Sequence, residues 1–433
     1  MERNPGISPI QLEAESAVEQ EGYILSPRSL KKIDKKEGGH HQGHGIKSLR
    51  PNRKCMCTLC IGWSLIIIIL ILTIHTNRPS PSWSKKRQNK EETISTPDEE
   101  EQPHIQVTTA PTLRDSLVND DDISVVEKYG YLTFDGTQLL SEKYNSPVQL
   151  TGMSLFWSNT DWGGEQFYAE DGIKELAQVW KCSIVRAAMG VEDEGGYIDS
   201  PAENKNRIQI VIEAAIKYGI YVIIDWHSHY AELYENEAIQ FFSEIAQIYG
   251  SFPNIIYEIY NEPLLTPWST IKDYAQHVIP TIRSNGSPLS LIIIGTPFYS
   301  QDVDSVISAK LDTAIYGNIA YTLHFYAASH GDELQAKAQL ALDNHIPIFV
   351  TEFGTVPADG DGQIDYESST KWISFLSKYN ISFCNWAFNN KDESASALQT
   401  YTEISNLPWN YPQVLTSSGQ FIFDIIQENA LQL

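Results

Sequence analysis

From residue 123 onward the chain alternates between two hydrophobic patterns. Short apolar runs rich in β-branched residues recur at Val148–Ser154, Ser183–Met189, Tyr221–His227, Asn254–Asn261, Leu291–Thr296, Ile319–Tyr326, Ile346–Glu352 and Ile381–Phe388. Runs this short and this continuously apolar suit parallel strands buried on both faces. Segments with helical spacing of apolar residues separate most of them, among them Asn206–Tyr218, Glu235–Tyr249 and Glu333–Asn344. A strand–helix unit repeated about eight times predicts an α/β fold, a (β/α)8 TIM barrel. A doubly wound open sheet is the alternative, but about 300 residues suit eight closed repeats better. No Gly-x-Gly-x-x-Gly follows any run, which removes a dinucleotide site. Ahead of the first run, Tyr131–Leu140 with its Asp135-Gly136 pair predicts a β-hairpin.

The segments before residue 123 differ in kind. Residues 1–54 are polar and basic with no apolar period, and read as a disordered tail. Residues 59–74 carry no charge and are mainly Leu and Ile, so residues 55–76 approach the ~20 positions a membrane span needs. The run starts past residue 55 and is followed by Asn77-Arg78-Pro79, which fits a single anchor better than a cleaved leader. Residues 77–122, rich in Pro, Ser, Thr, Glu and Asp, read as a stalk, and 123–433 as the globular domain. Basic residues flank the span on both sides. The nearest, Arg53 and Lys54, favour a cytosolic N-terminus, a type II protein held in the lipid bilayer by one span.

Charge narrows the partners. Residues 1–90 hold 15 Lys+Arg against 7 Asp+Glu, while the remainder holds 16 against 48. So acidic a body repels phosphate polyanions, which excludes nucleic acid and favours a neutral substrate. Five cysteines do not make a disulfide scaffold. Cys182 and Cys384 lie in core-like strands and read as buried free thiols. Cys55, Cys57 and Cys60 flank the span, where S-acylation fits better than zinc.

Chemistry collects where the strands stop. Glu262 in Tyr260-Asn261-Glu262-Pro263 and Glu352 in Thr351-Glu352-Phe353-Gly354 each follow a β-branched run and precede a turn residue. Parallel barrels build active sites at strand exits, and two facing carboxylates are the working parts of glycoside hydrolysis. Arg186, His227, His229, Asn261, His324, Tyr326 and Trp386 fall at the other exits. An arginine entering a barrel is costly without a carboxylate partner, so Arg186 needs one such as Glu352.

Those residues carry a resemblance. Val185–Met189, Tyr221–His227, Ile255–Pro263, His324–Tyr326, Thr351–Gly354 and Asn385-Trp386 followed by Lys391–Ser394 are similar to glycoside hydrolase family 5, in its endoglucanase (cellulase) subfamily. The match runs from about residue 123 to 431. It implies a (β/α)8 barrel that hydrolyses β-1,4-glucan with retention, using neither metal nor cofactor. It implies Glu262 as general acid/base and Glu352 as nucleophile. Asn261 would hold the sugar 2-hydroxyl, and Arg186 and Tyr326 would flank Glu352. His324 and His227 would shape the acid side, Trp386 would stack on a glucosyl ring, and Lys391 and Glu393 would bind an outer sugar. The chain departs from the family pattern at Leu155-Phe156-Trp157, at Gly190, at Phe353, and at Phe298 or Tyr299. A mannanase or mixed-linkage glucanase on the same barrel, or a non-catalytic carbohydrate receptor, are the alternatives.

Overall fold

The chain is represented by a computed structural model that describes residues 123–431. The expected tail, span and stalk over 1–122 lie outside the described residues. Among the described residues no helix is long and apolar enough to cross a membrane.

Helix α1 (Val125–Tyr129) opens the domain behind a capping box, with Ser124 and Glu127 bonded reciprocally. The predicted hairpin follows as β1 (Leu132–Asp135) and β2 (Gln138–Ser141), antiparallel and joined by Gly136-Thr137. The eight apolar runs become β3 (Thr151–Leu155), β4 (Ile184–Gly190), β5 (Tyr221–His227), β6 (Ile255–Glu258), β7 (Leu291–Ile294), β8 (Ile319–Tyr326), β9 (Ile348–Gly354) and β10 (Phe383–Phe388). They close into one parallel barrel in sequence order, with β10 returning to pair β3. The fourth run was expected to stay extended to Asn261, but β6 ends at Glu258. Glu262 therefore sits on a loop, four positions past its strand.

Inward positions along the strands change character over two residues, the strand repeat. At the N-terminal end, Ile184, Ile223, Ile256, Ala320 and Phe349 pack with Val126, Tyr129, Leu132 and Leu139, so α1 and the hairpin plug the barrel floor with apolar side chains. Two residues further along the same strands stand Arg186, Asp225, Glu258, Thr322 and Thr351, all buried. Outward residues such as Val185, Val222, Ile224, Tyr257 and Leu323 join the main core with residues of the surrounding helices. Those helices include Pro201–Tyr218, Glu235–Tyr249, Trp268–Asn285, Asp332–Asp343 and Tyr366–Tyr379. Cys182 and Cys384 are free and buried, as their setting implied.

One irregularity shapes the site. β8 pairs β9 with Thr322 opposite Phe349 and His324 opposite Glu352. Two steps on β8 thus span three on β9. The extra residue is a β-bulge, a device that re-aims side chains.

Candidate active site

Arg186 is the hub of the barrel mouth. Its Nε donates to Glu258 at 2.7 Å and its Nη1 to Glu352 at 2.8 Å. Its Nη2 donates to Asn261 Oδ1 at 2.6 Å and lies 2.9 Å from Asp225. A second contact to Glu258, 3.3 Å from Nη2, makes that pair two-pronged. One guanidinium therefore serves three carboxylates, all with side chains almost or wholly withdrawn from solvent. The sequence named Glu352 as its partner. Asp225 and Glu258 were missed, although each follows the floor residue of its own strand by two positions.

Glu352 closes the set. Its second oxygen accepts from the Tyr326 hydroxyl at 2.9 Å. Tyr326 reaches it because position 354 is glycine: a Cβ there would stand 2.2 Å from the tyrosine ring. Burial, with Glu352 and Glu262 nearby, raises the Tyr326 phenol well above its ordinary value, so it remains a donor.

Glu262 lies across the mouth in other company. Its Oε1 meets His324 Nδ1 at 2.9 Å, and its Oε2 lies 3.4 Å from His229 Nε2. Burial raises its pKa, but the hydrogen bonds of His229 and His324 outweigh this and hold the carboxyl below its usual range. For both imidazoles burial works against the charged ring, yet Glu262 and nearby carboxylates raise them overall. His324 Nε2 contacts Thr351 Oγ1 at 2.8 Å, and Thr351 donates to Glu258 at 2.7 Å.

His227 was expected beside His324 on the acid side. The imidazole that joins His324 at Glu262 is His229, to which the sequence gave no role, while His227 bonds Asp225. His227 Nδ1 meets Asp225 at 2.6 Å, and its ring stacks on Trp386 with centroids 5.5 Å apart and planes 7° apart. Burial, then Arg186, lowers His227 to about 3, so the ring is neutral. Burial raises Asp225 to about 7 against the pull of Arg186.

Aromatic side chains wall the site. Trp157 packs T-shaped with His227, ring centroids 4.2 Å apart, and approaches His229 and Trp162 at 5.9 and 5.3 Å. It can do so because position 190 lacks a side chain: a Cβ there would lie 2.9 Å from Trp157 and 1.8 Å from Asn159 Oδ1. The bare backbone at 190 is thus what makes room for Trp157 and Asn159. Phe156 leans on Trp386 at 5.4 Å and lies 4.2 Å beneath Lys391 Nζ, which pairs with Glu393 at 2.9 Å. Phe156 thus links Trp386 to the Lys391–Glu393 pair.

The loop after β7 completes the rim. Phe298, Tyr299 and Ser300 all adopt left-handed φ values near +57°. Such backbone is costly for residues with a side chain and collects at functional sites. It is held by Phe298 N–H to Leu264 O at 2.8 Å, Tyr299 N–H to Pro263 O at 2.9 Å and Ser300 Oγ to Asn261 O at 2.7 Å. These bonds tie it to the segment carrying Asn261 and Glu262. Tyr299 stands beside His229, ring centroids 6.5 Å apart.

Oxygens of Glu262 and Glu352 and a nitrogen of His324 lie within 4.8 Å of one another, a donor set close enough for a cation. Arg186 and Tyr326 already occupy both oxygens of Glu352, so the set fits organic acid–base work better than metal ligation. One carboxylate held by imidazoles faces another held by a guanidinium, and such unequal surroundings give a carboxylate pair two different roles.

A parallel barrel with this pair at its mouth is an enzyme architecture. The profile of the cellulase family, glycosyl hydrolase family 5, matches residues 141–392. Endoglucanase Z of Dickeya dadantii is 51% identical over 277 residues, covering 64% of this chain and 62% of its own length. A solved structure from Cytophaga hutchinsonii is 44% identical, with a TM-score of 0.68, over 72% of this chain and 98% of that one. The catalytic domain of Thermobifida fusca endoglucanase Cel5A, solved with cellotetraose, is 34% identical, with a TM-score of 0.65, over 70% and 99%. The chain belongs to glycosyl hydrolase family 5. It spans less than two thirds of the length of endoglucanase Z.

Proposed function

We propose that the chain is an endo-β-1,4-glucanase that cleaves internal glucosidic bonds by double displacement. The observation that carries the mechanism is the approach of Glu262 and Glu352 oxygens to within 4.8 Å. Carboxyls about 5 Å apart leave no room for a water between acid and sugar, so the second carboxylate attacks directly. Glu352, oriented by Arg186 and Tyr326, is the nucleophile. Glu262, which shares its protons with His324 and His229, protonates the leaving oxygen and later activates water. Asn261 uses its carbonyl oxygen on Arg186, which leaves its amide hydrogens for the sugar 2-hydroxyl. Trp386, His227, Lys391 and Glu393 bind the sugars on the glycone side. The curated relative's name and the cellotetraose in the Thermobifida fusca structure support β-1,4-glucan as substrate.

Proton NMR of the first products tests the mechanism: the β-anomer should appear first, and an initial α-anomer overturns it. Reducing-sugar release from carboxymethylcellulose, lichenan, mannan and xylan tests the substrate. Faster release from mannan or lichenan would move the assignment to another β-glycanase. Release from none would leave a carbohydrate receptor.

We also propose that residues 55–76 anchor the enzyme in a bilayer, with 1–54 as a cytosolic tail, 77–122 as a stalk and the barrel outside the cytosol. The uncharged run 59–74 supports this, as does the extracytoplasmic location of polysaccharide. Protease added to intact cells should remove the barrel and spare an N-terminal tag. A protected barrel, or full-length protein free in the medium, overturns the anchor.

A further inference from the structure

Two buried residues that the catalytic reading leaves unused, Glu258 and Thr351, connect the two sides of the site. Glu258 holds Arg186, which holds Glu352. Through Thr351 it also reaches His324, which holds Glu262. With Glu258 ionised, the hydrogens along that second path can be assigned one by one.

Arg186 only donates, and its Nε and Nη2 address both oxygens of Glu258. Burial raises the Glu258 pKa and Arg186 pulls the other way. Because a permanently charged guanidinium holds it on both prongs, we assign Glu258 as the carboxylate, an acceptor at both oxygens. Thr351 Oγ1, 2.7 Å from Glu258 Oε1, commits its single hydrogen there. A hydroxyl has one hydrogen and two lone pairs. The other two contacts of Thr351 Oγ1, from Thr322 Oγ1 and from His324 Nε2 at 2.8 Å, must then be received. His324 thus carries hydrogen on Nε2.

The consequence falls on Nδ1, 2.9 Å from Glu262 Oε1. With Nε2 protonated, that contact needs a second proton, or two lone pairs face each other. The proton sits either on Nδ1 beside a carboxylate or on Glu262 beside a bare Nδ1. Either way the pair holds two protons, and one is transferable to a leaving oxygen. The tautomer with hydrogen on Nδ1 and none on Nε2 would let the pair rest with one proton and Glu262 ionised. That tautomer would set bare Nε2 against an oxygen with no hydrogen to give.

We propose that Glu258 and Thr351 are positioning residues that fix the His324 tautomer and so keep the Glu262–His324 pair loaded with its transferable proton. This rests on the reading of Glu262 as the acid. The groups facing His324 from its neighbours are Glu262 on the loop after β6, Glu258 on β6, Thr351 and Glu352 on β9, and Arg186 and Asp225 on β4 and β5. His229 faces the other oxygen of Glu262. The net effect of these charges raises His324 despite its burial, in keeping with a loaded pair.

The test is Thr351→Val, which keeps shape and removes the hydroxyl, read as kcat/KM against pH. One substrate is a cello-oligosaccharide, whose leaving group needs protonation. The other is an activated aryl cellobioside, whose leaving group needs little. Loss of the Nε2 acceptor should lower kcat/KM on the oligosaccharide by about tenfold more than on the aryl substrate, within the 10²–10⁴ that a general acid supplies. The alkaline limb of the profile should move to lower pH, and Thr351→Ser should restore both readouts. Equal losses on both substrates with the alkaline limb unmoved overturn the proposal.

Glu262→Ala is the control. If it discriminates between the substrates and Thr351→Val does not, the relay is wrong and the acid stands. If it does not discriminate, the acid assignment falls and the relay with it. Nitrogen-15 NMR of the histidines in the unaltered protein, with His324 assigned by its loss in His324→Ala, needs no folded Thr351 variant. A protonated Nε2 is expected, and a bare Nε2 overturns the proposal.

Discussion

Thr351 and Glu352 are neighbours in the chain, yet both turn into the barrel. Thr351 donates to Glu258 at 2.7 Å, and Glu352 accepts from Arg186 at 2.8 Å. In a regular strand adjacent side chains face opposite ways. The bulge that puts Phe349 opposite Thr322 and Glu352 opposite His324 removes that constraint. One strand can thereby serve the acid side through Thr351 and the nucleophile side through Glu352.

Arg186 is where both sides meet, so its loss should be severe in two separable ways. Arg186→Ala strands Asp225, Glu258 and Glu352 without a counter-charge. Breaking a buried ion pair from one side costs about 3–5 kcal/mol, so thermal unfolding should show a large drop in Tm. Arg186→Lys should recover part of the Tm and little of kcat, because one ammonium cannot reproduce a fork that reaches three carboxylates and Asn261. Full recovery of kcat with lysine would mean that charge alone, without the fork geometry, sets Glu352.

Two glycines should behave as site residues although they carry no chemistry. Gly354→Ala puts a Cβ 2.2 Å from the Tyr326 ring, which must swing off Glu352. Gly190→Ala meets Asn159 Oδ1 at 1.8 Å and Trp157 at 2.9 Å, which disturbs the aromatic backing of His227. Both variants should keep a folded barrel by circular dichroism. Gly354→Ala should lower kcat by roughly 10²-fold, the scale of a small misplacement of a catalytic group. Gly190→Ala should act mainly on KM for oligosaccharides. Kinetics of Gly354→Ala matching the unaltered enzyme would show that the Tyr326 bond to Glu352 is dispensable.

Much of this was legible in the chain, for physical reasons that also explain the remainder. Buried parallel strands are largely apolar on both faces, so Tyr221–His227 and Ile319–Tyr326 were delimited by composition. The pair Glu262 and Glu352 stood out because an ionisable group ending an apolar run has few structural reasons to be there. Glu258 and Asp225 were hidden by the same logic turned round. Each lies inside an apolar run, and only the strand repeat above Ile256 and Ile223 shows that it points inward. The bulge in β9 left no trace, since no glycine or proline marks it. His229 was seen but passed over for His227. Which imidazole meets Glu262 depends on how the chain turns after β5, and periodicity does not encode that turn. The close approach of Trp157 to Gly190 joins separate strand exits, which local sequence periodicity does not encode.

The charge shared by Glu262 and its imidazoles should be visible in stability. Burial opposes the Glu262 charge, but the hydrogen bonds of His229 and His324 outweigh it, so the folded value is depressed. A depressed carboxylate stabilises the fold above its unfolded value of about 4.3, and this is lost as pH falls through the folded value. His229 and His324 are raised, burial being outweighed by Glu262 and other carboxylates. Their contribution is whole below about 6.5 and fades as pH rises through their folded values. The two contributions coincide between about pH 4.3 and 6.5. Alanine at 262 removes the shared partner and leaves Asp225, His227 and Arg186 in place. The Tm of the unaltered protein minus that of Glu262→Ala should therefore be greatest in that interval and smaller at pH 9 and pH 3. Thermal unfolding of both proteins across the range is the measurement. A difference that stays flat with pH would mean that Glu262 and the two imidazoles titrate independently, and the acid would then have no proton held for it by its neighbours.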